Sequence, residues 1–164
     1  MIIICVGGNI MANTKWKKLN RMQLGRYAEY YAKMEFASYG LDVYTSEVDD
    51  HGIDFIVKDK HKRFNEIQVK ALRNKGYTFM KQSNFDLSND NLYLTLLIFE
   101  DNALPSIYLV PTTAWNNSKS SSIFVIRNYG EEFKSVPEYG VNVSNKNKHL
   151  LEEYKFDLMV DRFM

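Results

Sequence analysis

The stretch Gly52-Ile53-Asp54-Phe55-Ile56-Val57, followed after a charged turn by Phe64-Asn65-Glu66-Ile67-Gln68-Val69-Lys70-Ala71-Leu72, decides how this chain folds. Both segments are rich in β-branched and aromatic residues, and the turn Lys58 to Lys62 separates them, so they read as neighbouring strands. Strand side chains alternate between faces. Ile67, Val69 and Ala71 therefore share one face, and Glu66, Gln68 and Lys70 share the other. A carboxylate between Ile53 and Phe55 is costly to bury unless it is paired. Across the ladder Asp54 can lie beside Gln68 and Lys70. An acid, a carboxamide oxygen and an ammonium then converge. Oxygen donors suit Mg²⁺, which binds through one or two carboxylates and keeps several waters. A lysine beside such an ion can orient water and stabilise charge on a phosphodiester. The same residues also read as a structural Asp54–Lys70 salt bridge, with Glu66 and Gln68 as solvent-facing strand residues.

Working outward, Leu24, Tyr27, Ala28, Tyr31 and Met34 recur at three- and four-residue steps and predict a helix over 21–38, with Gly40 just past its end. Glu29 lies on that helix, where Arg26 and Lys33 also offer it a surface ion pair. Residues 41–44 predict a strand and 49–52 a turn. Later, 77–80, 92–99, 106–110 and 122–127 predict further strands, and Pro111 opens a helical turn through Trp115. A closing helix is expected over 148–161, with 118–122 and 142–147 as polar loops. Helices mixed with a run of strands indicate a mixed sheet with helices on its faces, in an α/β or α+β domain.

The 164 residues suffice for one core, and 45 % hydrophobic with 25 % charged residues excludes global disorder. The single cysteine, Cys5, excludes an internal disulfide and most Cys-based zinc sites, so a reducing, cytoplasmic setting is expected. No stretch reaches the ~18 apolar residues of a membrane span. Met11 opens a more ordinary soluble start, so residues 1–10 carry no functional reading. Gly7-Gly8 lacks the Lys-Ser/Thr of a phosphate loop, which argues against a nucleotide cofactor. His51, beside Asp49 and Asp50, reads as a turn residue or a helper at a site mouth, and His61 and His149 as surface residues.

Net charge is +1, yet the basic residues cluster over 15–33 and 58–81. Such asymmetry can build a positive face for a polyanion, although Lys and Arg also simply solvate turns.

Gly25-Arg26-Tyr27-Ala28-Glu29 on a helix, then Gly52-Ile53-Asp54, then Ile67-Gln68-Val69-Lys70, resembles in motif order the PD-(D/E)XK nuclease superfamily. The resemblance covers residues 21–72. A looser likeness of the later strands points to small members: Mrr-like restriction enzymes, archaeal Holliday junction resolvases and small homing endonucleases. It implies a restriction-endonuclease-like, three-layer α/β/α core around a central mixed sheet, with residues 1–20 as an N-terminal extension, open to flexibility, and 21–164 as one nuclease-like domain. It also implies Mg²⁺ or Mn²⁺ held by Asp54, Gln68, the Val69 carbonyl and Glu29, with Lys70 as the catalytic lysine. Gln68 stands where the family usually has Asp or Glu, and Ile53 where it has Pro; Glu66 is the alternative ligand. The implied activity is metal-dependent hydrolysis of DNA by a homodimer, with Lys15, Lys17, Lys18, Arg21, Arg73 and Lys75 on backbone phosphates. The alternative is the same fold, catalytically inactive, binding nucleic acid or a protein.

Overall fold

The computed structural model describes residues 13–45, 52–116, 122–130, 132 and 134–164. Helix α1 spans Arg21–Ser38 and matches the expected range. Asn20 caps it reciprocally: its side chain accepts from Gln23 N–H, and the Gln23 side chain accepts from Asn20 N–H. That satisfies donors a helix start otherwise leaves orphaned. Leu24, Ala28, Ala32 and Phe36 form its buried stripe. Phe36 meets the rings of Phe55, Phe156 and Phe163 at 4.8–5.7 Å. Edge-to-face contacts at such spacings add to what ring burial itself supplies.

Five strands, β1 (Asp42–Tyr44), β2 (Phe55–Lys58), β3 (Phe64–Arg73), β5 (Leu92–Phe99) and β6 (Ser106–Pro111), form the main sheet in the order β1-β2-β3-β5-β6. Only β3 and β5 pair in parallel; the other pairs are antiparallel, so the sheet is mixed as expected. All eight residues of β5 are buried, the pattern of a strand covered on both faces. One face, carrying Phe55, Ile67 and Phe99, packs on α1 and the C-terminal helical turns. The expected α/β class with a central mixed sheet and flanking helices is what the structure shows.

A second sheet, β4 (Gly76–Lys81), β8 (Glu138–Val143) and β7 (Phe124–Arg127), in the order β4-β8-β7, flanks the other face. Strand β8 corrects the sequence reading, which assigned 142–147 to a loop and no element to 138–141. The closing helix is also corrected. Residues Lys148–Tyr154 form a 3₁₀ turn, Lys155 is extended and bridges to Tyr108, and only then come α2 (Phe156–Met159) and a last turn, Val160–Phe163. The core also reaches ahead of Arg21. Trp16, in the turn Trp16–Lys18, is 2 % exposed, packs on Tyr27 and Phe99, and donates its indole N–H to Ala103 O. No helix among the described residues is long and apolar enough to cross a membrane.

Gly140 on β8 matters because Tyr77 lies across it. A Cβ there would overlap the Tyr77 ring, 2.5 Å from its Cε2. Tyr77 is also tied by its hydroxyl, which donates to Glu138 Oε1 at 2.5 Å. Gly140→Ala should lower stability by about 1–3 kcal/mol, the usual range for forced overpacking. Thermal unfolding checks this, and an unchanged Tm would mean that the ring swings aside freely.

Candidate functional site

The site begins where β2 parts from β3. Asp54 N–H still donates to Ile67 O at 2.9 Å, and one residue pair further on its side chain takes over the ladder: Val69 N–H donates to Asp54 Oδ2 at 2.5 Å. A carboxylate thus replaces a backbone carbonyl as acceptor, which holds its oxygens at the edge of the sheet. Gly52, with φ +76°, turns the chain in the left-handed region just before it. The antiparallel register, Phe55 opposite Ile67, places Asp54 opposite Gln68.

Gln68 is 5 % exposed, and its Oε1 is buried with no hydrogen-bond partner among the described residues. Leaving a buried acceptor unpaired costs about 1–3 kcal/mol. Lys70, two residues on and half-buried, makes no ion pair or hydrogen bond among the described residues. The structural Asp54–Lys70 salt bridge is therefore not formed among them. Gln68 and Lys70 open into a cleft of about 440 Å³, with Arg21, Gly52, Lys81 and Asn84 around it and residues 78–80 of β4 as one wall. The described lining residues include three cations and no acid. Asn84 follows from the turn Gln82–Asn84; its Oδ1 accepts from Ser83 Oγ, and its Nδ2 lies 3.2 Å from where a Gly52 Cβ would stand. The positive β3–β4 segment was legible in sequence, but the roles of Lys81 and Asn84 were not, because β4 reaches the cleft only through tertiary packing.

Other expected site residues are placed differently. Glu29 pairs with Arg26 at 2.8 Å and does not line the cleft, so its surface ion-pair reading is the one observed. Glu66, on the Gln68 side of β3, accepts from Asn89 Nδ2 at 3.1 Å. Arg73 spends its guanidinium on Trp16 O at 3.2 Å and on Leu19 O, closing the turn before α1 instead of standing free. Lys58, Lys60 and Lys62 sit at the far end of β3, but those bonds do bring the start of the first basic segment beside the end of the second. Lys15, Lys18 and Lys75 are exposed there, and Lys17 pairs loosely with Asp101 at 3.8 Å. His61 and His149 are exposed, as expected. Cys5, His51, Asp49, Asp50 and residues 118–121 lie outside the described residues.

No family model and no curated relative matches the chain. Among solved structures it is similar to Hjc, a Holliday junction resolvase from the archaeal hyperthermophile Archaeoglobus fulgidus, at TM-score 0.51 and 7 % identity over 85 % of this chain and 98 % of that one. At such identity the likeness speaks for backbone architecture, and the mixed β1-β2-β3-β5-β6 sheet under α1 has the fold of a Holliday junction resolvase.

Proposed function

We propose that this chain is a divalent-metal-dependent endonuclease that hydrolyses DNA phosphodiester bonds in the cleft of Gln68 and Lys70. The observation that carries the reading is the orphaned Gln68 Oε1, a buried acceptor beside Asp54 and Lys70 on a resolvase-like fold. It needs a donor or a cation, and Lys70, two residues on along the same strand face, makes no ion pair or hydrogen bond among the described residues.

The residues suit a Mg²⁺ or Mn²⁺ ion by donor type. Asp54 supplies the charge, and Gln68 Oε1 and the Val69 carbonyl supply neutral oxygens. Among the described residues no cluster of three or more His, Cys, Asp or Glu forms, so an ion here would keep much of its water shell, as Mg²⁺ commonly does. Glu29 would join only by releasing Arg26, and Glu66 by releasing Asn89. Such an ion supplies a water of lowered pKa and polarises the phosphate. The chain's own groups do the positioning. Lys70 offers N–H donors to a phosphate oxygen and to the attacking water, stabilising charge as it develops. Arg21 and Lys81 hold neighbouring phosphates without reading sequence. A two-stranded substrate calls for two such sites, hence a homodimer.

Supercoiled plasmid and branched DNA, incubated with Mg²⁺ or Mn²⁺ and again with EDTA, test this. Cutting that chelation abolishes is the expected result. The neutral Gln68 at the ligand position favours one other reading, a nuclease-like module that binds DNA without cutting. Salt-dependent binding with no cutting in either metal would establish that module instead.

A further inference from the structure

The outward face of β4 carries an aromatic and basic row that leads into the cleft. Tyr77, Phe79 and Lys81 alternate onto one face, while Met80 points into the core. Tyr77 is fixed from three sides. Its hydroxyl donates to Glu138 Oε1, its ring crosses Gly140, and the Arg127 guanidinium lies over it at 4.3 Å from the centroid. Burial and the Glu138 carboxylate push its phenol well above the usual range, so it stays a protonated donor. Tyr129 and Arg127 also converge on that carboxylate, at 3.1 and 3.6 Å. Phe79 stacks beside this fixed ring, centroids 6.2 Å apart and planes 24° from parallel.

Phe79 itself is 42 % exposed and lines the cleft with Lys81, Arg21 and Lys70. Stacked on a firmly held tyrosine at the lip of a cation-lined cleft, this ring presents a fixed, flat apolar face to whatever enters. A base offers a π-face to stack on it, and the adjoining phosphates suit the cations. In a continuous duplex the base faces are already stacked on one another. From this we infer that Phe79 is a stacking platform for an unpaired base, with Lys81 holding the phosphate of the same nucleotide. The cleft therefore prefers single-stranded DNA over uninterrupted duplex. This rests on the nucleic-acid part of the proposed function, which already places Lys81 on a phosphate, and adds the substrate form and one positioning residue, Phe79.

Binding in EDTA separates the inference from catalysis. A labelled oligothymidylate strand and a blunt duplex of equal length would be titrated with the wild type, Phe79→Ala, Phe79→Trp and Lys81→Ala at several salt concentrations. The wild type should bind the single strand more tightly. Phe79→Ala should weaken single-strand binding about tenfold and leave duplex binding nearly unchanged. Phe79→Trp should retain binding, with its fluorescence quenched by the single strand alone. Lys81→Ala should weaken both ligands and lower the salt slope by about one. Equal effects of Phe79→Ala on both ligands, no effect on either, or an unquenched tryptophan would overturn the inference. A chain that cuts DNA with metal yet fails these tests loses the stacking platform only. One that passes them yet never cuts loses the endonuclease reading only.

Discussion

Lys70→Ala should reduce metal-dependent DNA cleavage about a thousandfold, near 4 kcal/mol of transition-state stabilisation, and leave the unfolding temperature almost unchanged. The two halves of this expectation have one origin. Lys70 projects from β3 beside Gln68 and makes no ion pair or hydrogen bond among the described residues. Removing it breaks no such bond there, so the fold loses only the packing of a half-buried stem, worth about 0.5 kcal/mol or less. In the site, however, it lines the cleft two residues along the strand from Gln68 and on the same face. A structural salt bridge would give the opposite pattern, because deleting one partner strands the other charge. Lys70→Arg should recover part of the activity: the charge remains, but a planar fork replaces a compact point donor. Cleavage rates beside thermal melts decide it. Full activity in Lys70→Ala would remove the ammonium from the chemistry, and a large loss of Tm would restore the salt bridge.

How much of this site was legible follows from what each residue depends on. The shared face of Gln68 and Lys70 depends on the two-residue period of one strand, which sequence displays directly. Asp54 opposite Gln68 depends on one short turn between β2 and β3, and the register of such a pair is strongly constrained once one face is buried. The cleft wall is different. Lys81 and Asn84 line the cleft with Lys70 only because β4 leaves the main sheet to pair with β8, a strand far along the chain (Gly76 opposite Val143, Lys81 opposite Glu138). Strand β8 was itself concealed. Glu138, Gly140 and Asn142 break its apolar pattern, and the first two have a tertiary reason: Glu138 receives Tyr77 and Tyr129, and Gly140 makes room for the Tyr77 ring; Asn142 is exposed. The closing helix failed for a related reason. Its apolar spacing is helical, but Lys155 is drawn into a bridge with Tyr108, and that break delivers Phe156 to Phe36 and Tyr39. Packing across the chain overrode a sound local pattern.

The turn that joins β2 to β3 holds the site's two strands in register, and its key residue is Asp59. Within a run of lysines it is 4 % exposed. Its Oδ1 accepts from Arg63 N–H at 2.8 Å, and its Oδ2 accepts from Arg63 Nε at 2.7 Å and Asn65 Nδ2 at 3.4 Å. Its own N–H donates to Arg63 O, and Lys62 completes the turn with φ 67°, in the left-handed region. Asp59→Ala should destabilise the fold by about 3 kcal/mol, since buried donors lose a charged acceptor. The loss stops short of that for a fully buried ion pair because the Arg63 side chain is 55 % exposed and rehydrates. The pH dependence supplies a second signature. Burial alone would raise the Asp59 carboxyl, but the Arg63 N–H, the Arg63 guanidinium and the Asn65 amide outweigh it, and the net shift is downward. Between the folded and the ordinary value the unfolded chain binds the proton and the folded one does not, so stability rises with pH there. The contribution is complete above the ordinary carboxyl range, about pH 4, and disappears as pH falls through the lower folded value. Asp59→Asn keeps an oxygen for the Arg63 N–H and deletes the titration. Urea unfolding at neutral and acid pH should therefore show the wild type and Asp59→Asn converging as pH falls. Curves that run parallel would place the acid sensitivity elsewhere.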